Sequence, residues 1–179
     1  MSKKVLVISS SLRKNANSEQ LALSFADGAR KSGHEVEVIS LREKEIRFCI
    51  GCFACQKTQR CFMHDDADAI REKMLHADVL VFATPIYYYE MSGALKTMLD
   101  RANPLFPSDY QFREVYALAT AAEDEEYVPQ KAFSGIEGWV DCFDKAELAG
   151  TLFCGGVTDT GDIKDNPILQ EAFDMGSKI

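Results

Sequence analysis

Lys4-Val5-Leu6-Val7-Ile8-Ser9 is apolar at four successive positions, three of them β-branched. An uninterrupted run of this kind predicts a strand buried on both faces of a parallel sheet, because a half-exposed strand would alternate with polar residues. Strands of the same set are predicted at Glu35–Ile39, Ala77–Ala83, Glu114–Ala119 and Leu148–Cys154. Between the first two, Leu21, Phe25 and Ala29 recur every fourth residue while Glu19, Gln20 and Arg30 take the other side. That spacing predicts an amphipathic helix over Ser18–Lys31, stopped at Gly33. Further helices are expected at Ala67–His76, capped by Asp65 or Asp66, at Ser92–Asn103, ended by Pro104, at roughly Lys131–Asp144, and briefly after Pro167. Strands alternating with helices imply right-handed βαβ crossovers and an α/β fold of three layers. Its five-stranded parallel sheet is expected in the order 2-1-3-4-5.

Composition narrows the picture without changing it. The 179 residues suit a single domain over 1–179, and 46% hydrophobic against 27% charged residues is the balance of a packed globular chain, not a disordered one. Twenty Lys and Arg against 28 Asp and Glu leave a net charge of -8, which repels phosphate backbones and anionic lipid. Nucleic acid and membrane are therefore not expected as partners. No stretch reaches the ~7–15 apolar residues of a secretory core or the ~20 of a membrane span. A cytoplasmic location is expected, where thiols stay reduced and six cysteines argue for metal or redox chemistry before disulfides.

Two connections exceed the usual α/β length, Ser40–Asp66 and Glu123–Pro129, and long connections in compact folds are commonly functional. The first βα turn, Ser9 to Ser18, joins a strand to a helix N-terminus, where free N–H groups and the positive end of the helix dipole attract phosphate. Ser11, Arg13, Asn17 and Ser18 add side-chain donors and no acid intrudes. An ordinary capped turn with Asn17 or Ser18 as N-cap fits the same residues. The turn holds no glycine, which favours a mononucleotide over a dinucleotide. Strand three leaves the same sheet edge through Thr84-Pro85-Ile86-Tyr87-Tyr88-Tyr89, whose rings offer flat faces to an aromatic ligand. Strand four also exits there, bringing the backbone of Thr120 and Ala121 to the crevice. Glu123–Glu126 read as a solvated loop and Gly155-Gly156 as a turn.

Ser10-Ser11-Leu12-Arg13 through Asn17-Ser18, together with Thr84-Pro85-Ile86-Tyr87 through Ser92-Gly93 and Lys96, resembles the NADPH-dependent FMN reductase family of flavodoxin-like proteins. The likeness extends from Lys3 to about Leu105. It implies FMN, with phosphate held by Ser11, Arg13, Asn17 and Ser18, with Ser9 at the strand end beside them. The isoalloxazine would lie along Pro85, Ile86, Tyr87 and Tyr88 and touch Thr120 and Ala121. Ser10 stands where the family usually has glycine and Leu12 where it often has proline, so a positive φ at Ser10 would be costly.

Cys49, Cys52, Cys55 and Cys61 follow the spacing C-x2-C-x2-C-x5-C in a cysteine-rich loop at about 47–64. Compact runs of this type ligate four-iron clusters, and the pattern resembles that of the iron-sulfur flavoproteins, which implies a [4Fe-4S] cluster near the flavin. A zinc site, reactive thiols or a loop without metal remain open on spacing alone. His34, His64 and His76 have no functional role in this reading. The resemblance implies an FMN oxidoreductase that takes hydride from NAD(P)H and passes electrons to a small acceptor such as a quinone, flavin or azo compound, with no side chain required as a catalytic acid or base. The alternatives are an iron-sulfur electron carrier served by a ferredoxin-like protein, and a non-enzymatic flavin- or metal-binding regulatory module. Exposed aromatic residues in 84–105 suit a homodimer or higher homo-oligomer.

Overall fold

The computed structural model describes residues 1–179. Five strands run parallel: β1 (Lys4–Ser9), β2 (Glu35–Ser40), β3 (Val79–Tyr87), β5 (Glu114–Thr120) and β6 (Glu147–Cys154). They are ordered β2-β1-β3-β5-β6, the expected flavodoxin-like order. A sixth strand, the two-residue β4 (Glu90–Met91), folds back antiparallel on the end of β3. It was invisible in the periodicity because two residues carry no period.

The central strands are apolar throughout because alternate residues feed two different cores. Leu6, Ile8, Leu80, Phe82, Val115 and Ala117 join one cluster. Val5, Val7, Val79, Val81, Tyr116 and Leu118 join the other, across the sheet. The first face is covered by α3 (Asp66–His76), α4 (Gly93–Arg101) and α5 (Gln130–Val140), the second by α1 (Asn17–Lys31) and α6 (Ile168–Gly176). At the edges, β2 and β6 alternate between exposed and half-buried positions, and Glu35 and Glu37 put charge on a sheet edge that would otherwise invite pairing.

The helices α1 and α6 touch backbone to backbone. A Cβ on Gly28 would come within 1.9 Å of the Phe173 carbonyl oxygen, and one on Gly176 within 2.1 Å of that of Phe25. Both glycines are required by this approach. Three boundaries differ from the periodicity: α5 stops at Val140, Pro104 lies inside a 3-10 turn over Asn103–Leu105, and the N-cap of α1 is Ala16, not Asn17 or Ser18. A further one-turn helix, α2 (Cys55–Thr58), lies in the cysteine loop. Asp65 caps α3, accepting from the Ala67 N–H at 3.1 Å.

Candidate functional site

The carboxyl ends of β1, β3, β5 and β6 surround an open cavity of about 220 Å3. Its walls bring together Ser11, Arg13, Asn17 and Ser18 from the first turn, Pro85, Ile86 and Tyr87 from the exit of β3, and Thr120 and Ala121 from the exit of β5. Two of the residues singled out in the sequence fall elsewhere. Ser9 ends β1 and is buried, with its hydroxyl unpartnered but outside the cavity wall. Tyr88 is fully exposed and borders a neighbouring cavity of about 190 Å3, which shares Ile86, Ala121 and Ala122. Sequence reasoning missed Ala16, Ala122, Val157 and Thr158. The signal for the last two was the Gly155-Gly156 turn at the end of the fifth parallel strand. A Cβ on Gly155 would lie 2.2 Å from the Asp124 Cα, so only glycine lets this loop close against the exit of β5.

At the first turn, Ala16 offers no side-chain acceptor to the opening N–H groups of α1. The Ser18 hydroxyl, 1% exposed, is buried without any partner in the same wall. An uncapped helix start beside an unsatisfied hydroxyl is what an anion would complete, because leaving a buried donor unmade costs roughly 1–3 kcal/mol. Asn17 does different work. Its amide oxygen accepts from the Gly161 and Ile163 N–H groups at 3.2 and 3.3 Å, and its Nδ2 donates to the Asp159 carbonyl at 2.9 Å. Arg13 likewise donates to the Thr158 carbonyl at 2.8 Å and the Thr160 hydroxyl at 3.0 Å. Both side chains tie the loop after β6 against the turn.

Ser10 has no positive φ, so the loss of the family's glycine carries no strain there. Its hydroxyl donates to the Ala83 carbonyl at 2.9 Å and accepts from Ser92 Oγ at 2.9 Å, while the Ser92 N–H donates to Thr84 Oγ1 at 2.9 Å. This fully buried chain bolts the first turn to the Pro85 segment. The strain lies instead at Tyr88 and Tyr89, with φ of 52° and 67°. They form the two-residue turn between β3 and β4, a position that favours Asn-Gly. The Tyr89 hydroxyl donates to Glu123 at 3.0 Å, and that carboxylate pushes the phenol pKa up. Glu123 is therefore tied to the β3–β4 turn rather than simply solvated.

The four clustered cysteines line a second, narrow pocket that shares no residue with the first, with Arg101 and Asn103 among its walls. Cys55 is buried, Cys61 half-buried, and Cys49 and Cys52 exposed. Arg101 ties both ends of the loop: its guanidinium donates to the Arg47 carbonyl at 2.9 Å, the Met63 carbonyl at 3.1 Å and Asp65 at 2.6 Å. Burial would raise the Asp65 pKa, but Arg101 and the Arg47 and Ala67 N–H groups outweigh it and hold the carboxyl at about 2. For Arg101, burial works against the charge, and Asp65 and the adjacent Cys61 more than offset it. Asn103 Nδ2 lies 3.0 Å from Cys55 Sγ.

No three Cys, His, Asp or Glu side chains gather at one point as a single ion requires. The four thiols line one pocket with the Asn103 amide beside them, and four thiols are the donor set that iron-sulfur clusters take. The first cavity fits FMN on different grounds, the unsatisfied Ser18 hydroxyl at an uncapped helix start.

The sequence model of the NADPH-dependent FMN reductase family matches residues 3–127. An iron-sulfur flavoprotein of Methanocaldococcus jannaschii is 38% identical over 102 residues, 57% of this chain and 53% of that protein, so the match spans about half of that relative's length. One from Methanosarcina thermophila is 25% identical over 177 residues, 98% of this chain and 93% of the relative. The structure of an NAD(P)H:quinone oxidoreductase from Methanothermobacter marburgensis superposes with a TM-score of 0.80 at 19% identity, over 99% of this chain and 96% of that one. That likeness is one of fold. No helix is long and apolar enough to cross a membrane.

Proposed function

Since the chain belongs to the NADPH-dependent FMN reductase family, we propose that residues 1–179 form one FMN-binding unit that moves electrons from NAD(P)H to a small acceptor. The observation that carries this reading is the buried, unpartnered Ser18 hydroxyl at the uncapped start of α1, inside the crevice where four strand ends meet. Ser18, Ser11 and the first N–H groups of α1 would take the phosphate, as donors in a positive helix field. Asn17 and Arg13 would act chiefly by holding the 158–163 loop as the remaining wall. Pro85, Ile86 and Tyr87 would line the ring, with Thr120 and Ala121 beside them on the neighbouring strand exit. Bound FMN supplies hydride acceptance and release of electrons, so this reading asks the chain for position and polarity, not a catalytic acid or base. The adjoining cavity at Tyr88, Tyr89 and Glu123 gives the second substrate access to the same wall. Quinones, free flavins and azo compounds are acceptors of suitable shape.

Calorimetric titration of flavin-free protein tests this assignment. FMN should bind more tightly than riboflavin, and equal affinities would remove the phosphate from the first turn.

A second reading is favoured by the cysteine pocket and by the names of the two relatives above, both iron-sulfur flavoproteins. In it, Cys49, Cys52, Cys55 and Cys61 hold a [4Fe-4S] cluster and the chain exchanges single electrons with a ferredoxin-like protein. Iron and acid-labile sulfide in anaerobically purified protein would support it, and the absence of both would leave a thiol loop. The exposed Tyr87, Tyr88 and Phe106 suit a homodimer or higher homo-oligomer, which sedimentation would test.

A further inference from the structure

The wall of the cysteine pocket includes a buried charged group. The Arg101 side chain is 1% exposed, and its partner Asp65 is 7% exposed. The guanidinium donates to the Arg47 and Met63 carbonyls and to Asp65. Its Nε–H is buried with no acceptor at all, although Arg101 lines the pocket. Beside it, the Asn103 amide already points a donor at Cys55 Sγ, 3.0 Å away. Burying a cation is costly, and a donor left unmade adds to that cost. A wall with one spare N–H and one N–H on sulfur is complementary to a sulfur-rich ligand that accepts hydrogen bonds.

We infer that Arg101 and Asn103 are tuning residues for the cysteine-bound centre, donating hydrogen bonds to its sulfur ligands and so raising its reduction potential. The inference rests on the cluster reading given above. Its physical basis is general: reduction adds negative charge to the sulfurs, and donors or cations nearby stabilise the more negative form. Asp65 then has a part too, since it orients Arg101 and caps α3 from the same carboxylate.

The test is a redox titration of anaerobically purified protein, followed by the cluster's electron paramagnetic resonance, with iron and sulfide measured on each sample. Asn103→Ala should retain iron and sulfide while the reduced-to-oxidised ratio at a fixed ambient potential falls roughly tenfold, ~59 mV for one electron. Arg101→Lys, which keeps charge and loses Nε–H, should shift the same way by less. Arg101→Lys serves only as a second measurement, since it also loosens the loop. Full iron in Asn103→Ala with an unmoved potential would overturn the tuning role. Loss of iron from Asn103→Ala would also overturn it, making the residue a clamp on the loop. A parent protein without iron or sulfide would overturn the cluster reading itself, and the inference with it.

Discussion

The crevice at the sheet edge and the pocket in the cysteine loop are built in opposite ways. Most walls of the crevice are strand ends or the start of a helix, set by two cores of 24 and 16 buried residues, and the loop after β6 closes the remaining side. Its shape would persist with little in it. The cysteine pocket is walled by a loop whose only regular piece is one helical turn, with positive φ at Gly51, Phe53 and Gln59 and with Phe48, Ile50, Phe53 and Phe62 exposed. It is held to the fold by scattered polar ties: the buried pair of Arg101 with Asp65, Gln59 to the Pro107 carbonyl, and Asn103 to Cys55. One site is shaped by the sheet, the other by side-chain ties to a loop.

The largest expected effect comes from breaking that pair. Arg101→Ala leaves Asp65 buried without its cation and should cost about 3–5 kcal/mol in urea unfolding. Hydrogen exchange should show protection lost first around 45–66 while the amides of β1 and β3 stay protected. Uniform loss across both regions would mean the two sites are not mechanically separate.

Acid should act on the same pair with smaller force. The Asp65 carboxyl titrates at about 2 when folded against 3.8 when free. A depressed folded pKa gives stability that is complete above the free value and lost as pH falls through the folded one. About 2 kcal/mol should therefore disappear between pH 4 and pH 2. Asp65→Asn should flatten that part of the stability profile, and an unchanged slope would show that other carboxylates dominate it.

At the crevice the changes should be local. Tyr88→Asn, which accepts a positive φ more readily, should raise the unfolding free energy by ~1 kcal/mol if the β3–β4 turn stores strain. A loss of stability would show that the exposed ring makes contacts the strain argument omits. Ser18→Ala should weaken FMN by ~1 kcal/mol, roughly fivefold, and leave riboflavin affinity alone. Equal weakening of both would move the hydroxyl's role from phosphate to fold.

The contrast also explains what the sequence made legible. The first strand follows from the run Val5 to Ile8, because a parallel strand covered on both faces has to be apolar at every position, whereas its register with its neighbours came only from the structure. The crevice followed from topology, since the ends of β1, β3 and β5 meet wherever that strand order is adopted. Asn17 was harder to read: Asn at a helix start suggests a cap or a ligand, and only the fold shows its amide engaged by residues more than 140 positions away. Arg101 was unreadable for the same reason. On a helical pattern it is one more polar position near a C-terminus, yet its partners lie in a loop 36 to 54 residues earlier. Long-range polar ties leave no periodic trace, whereas burial does.

The central claim is that this crevice holds FMN in a form that a nicotinamide can reduce. Anaerobic addition of NADPH or NADH to FMN-loaded protein, followed in the flavin absorption band, tests it most directly. Bleaching by one equivalent of nicotinamide per bound FMN is the predicted result. Tightly bound FMN that neither nicotinamide reduces would contradict the reductase reading and leave the chain as a carrier loaded by another protein.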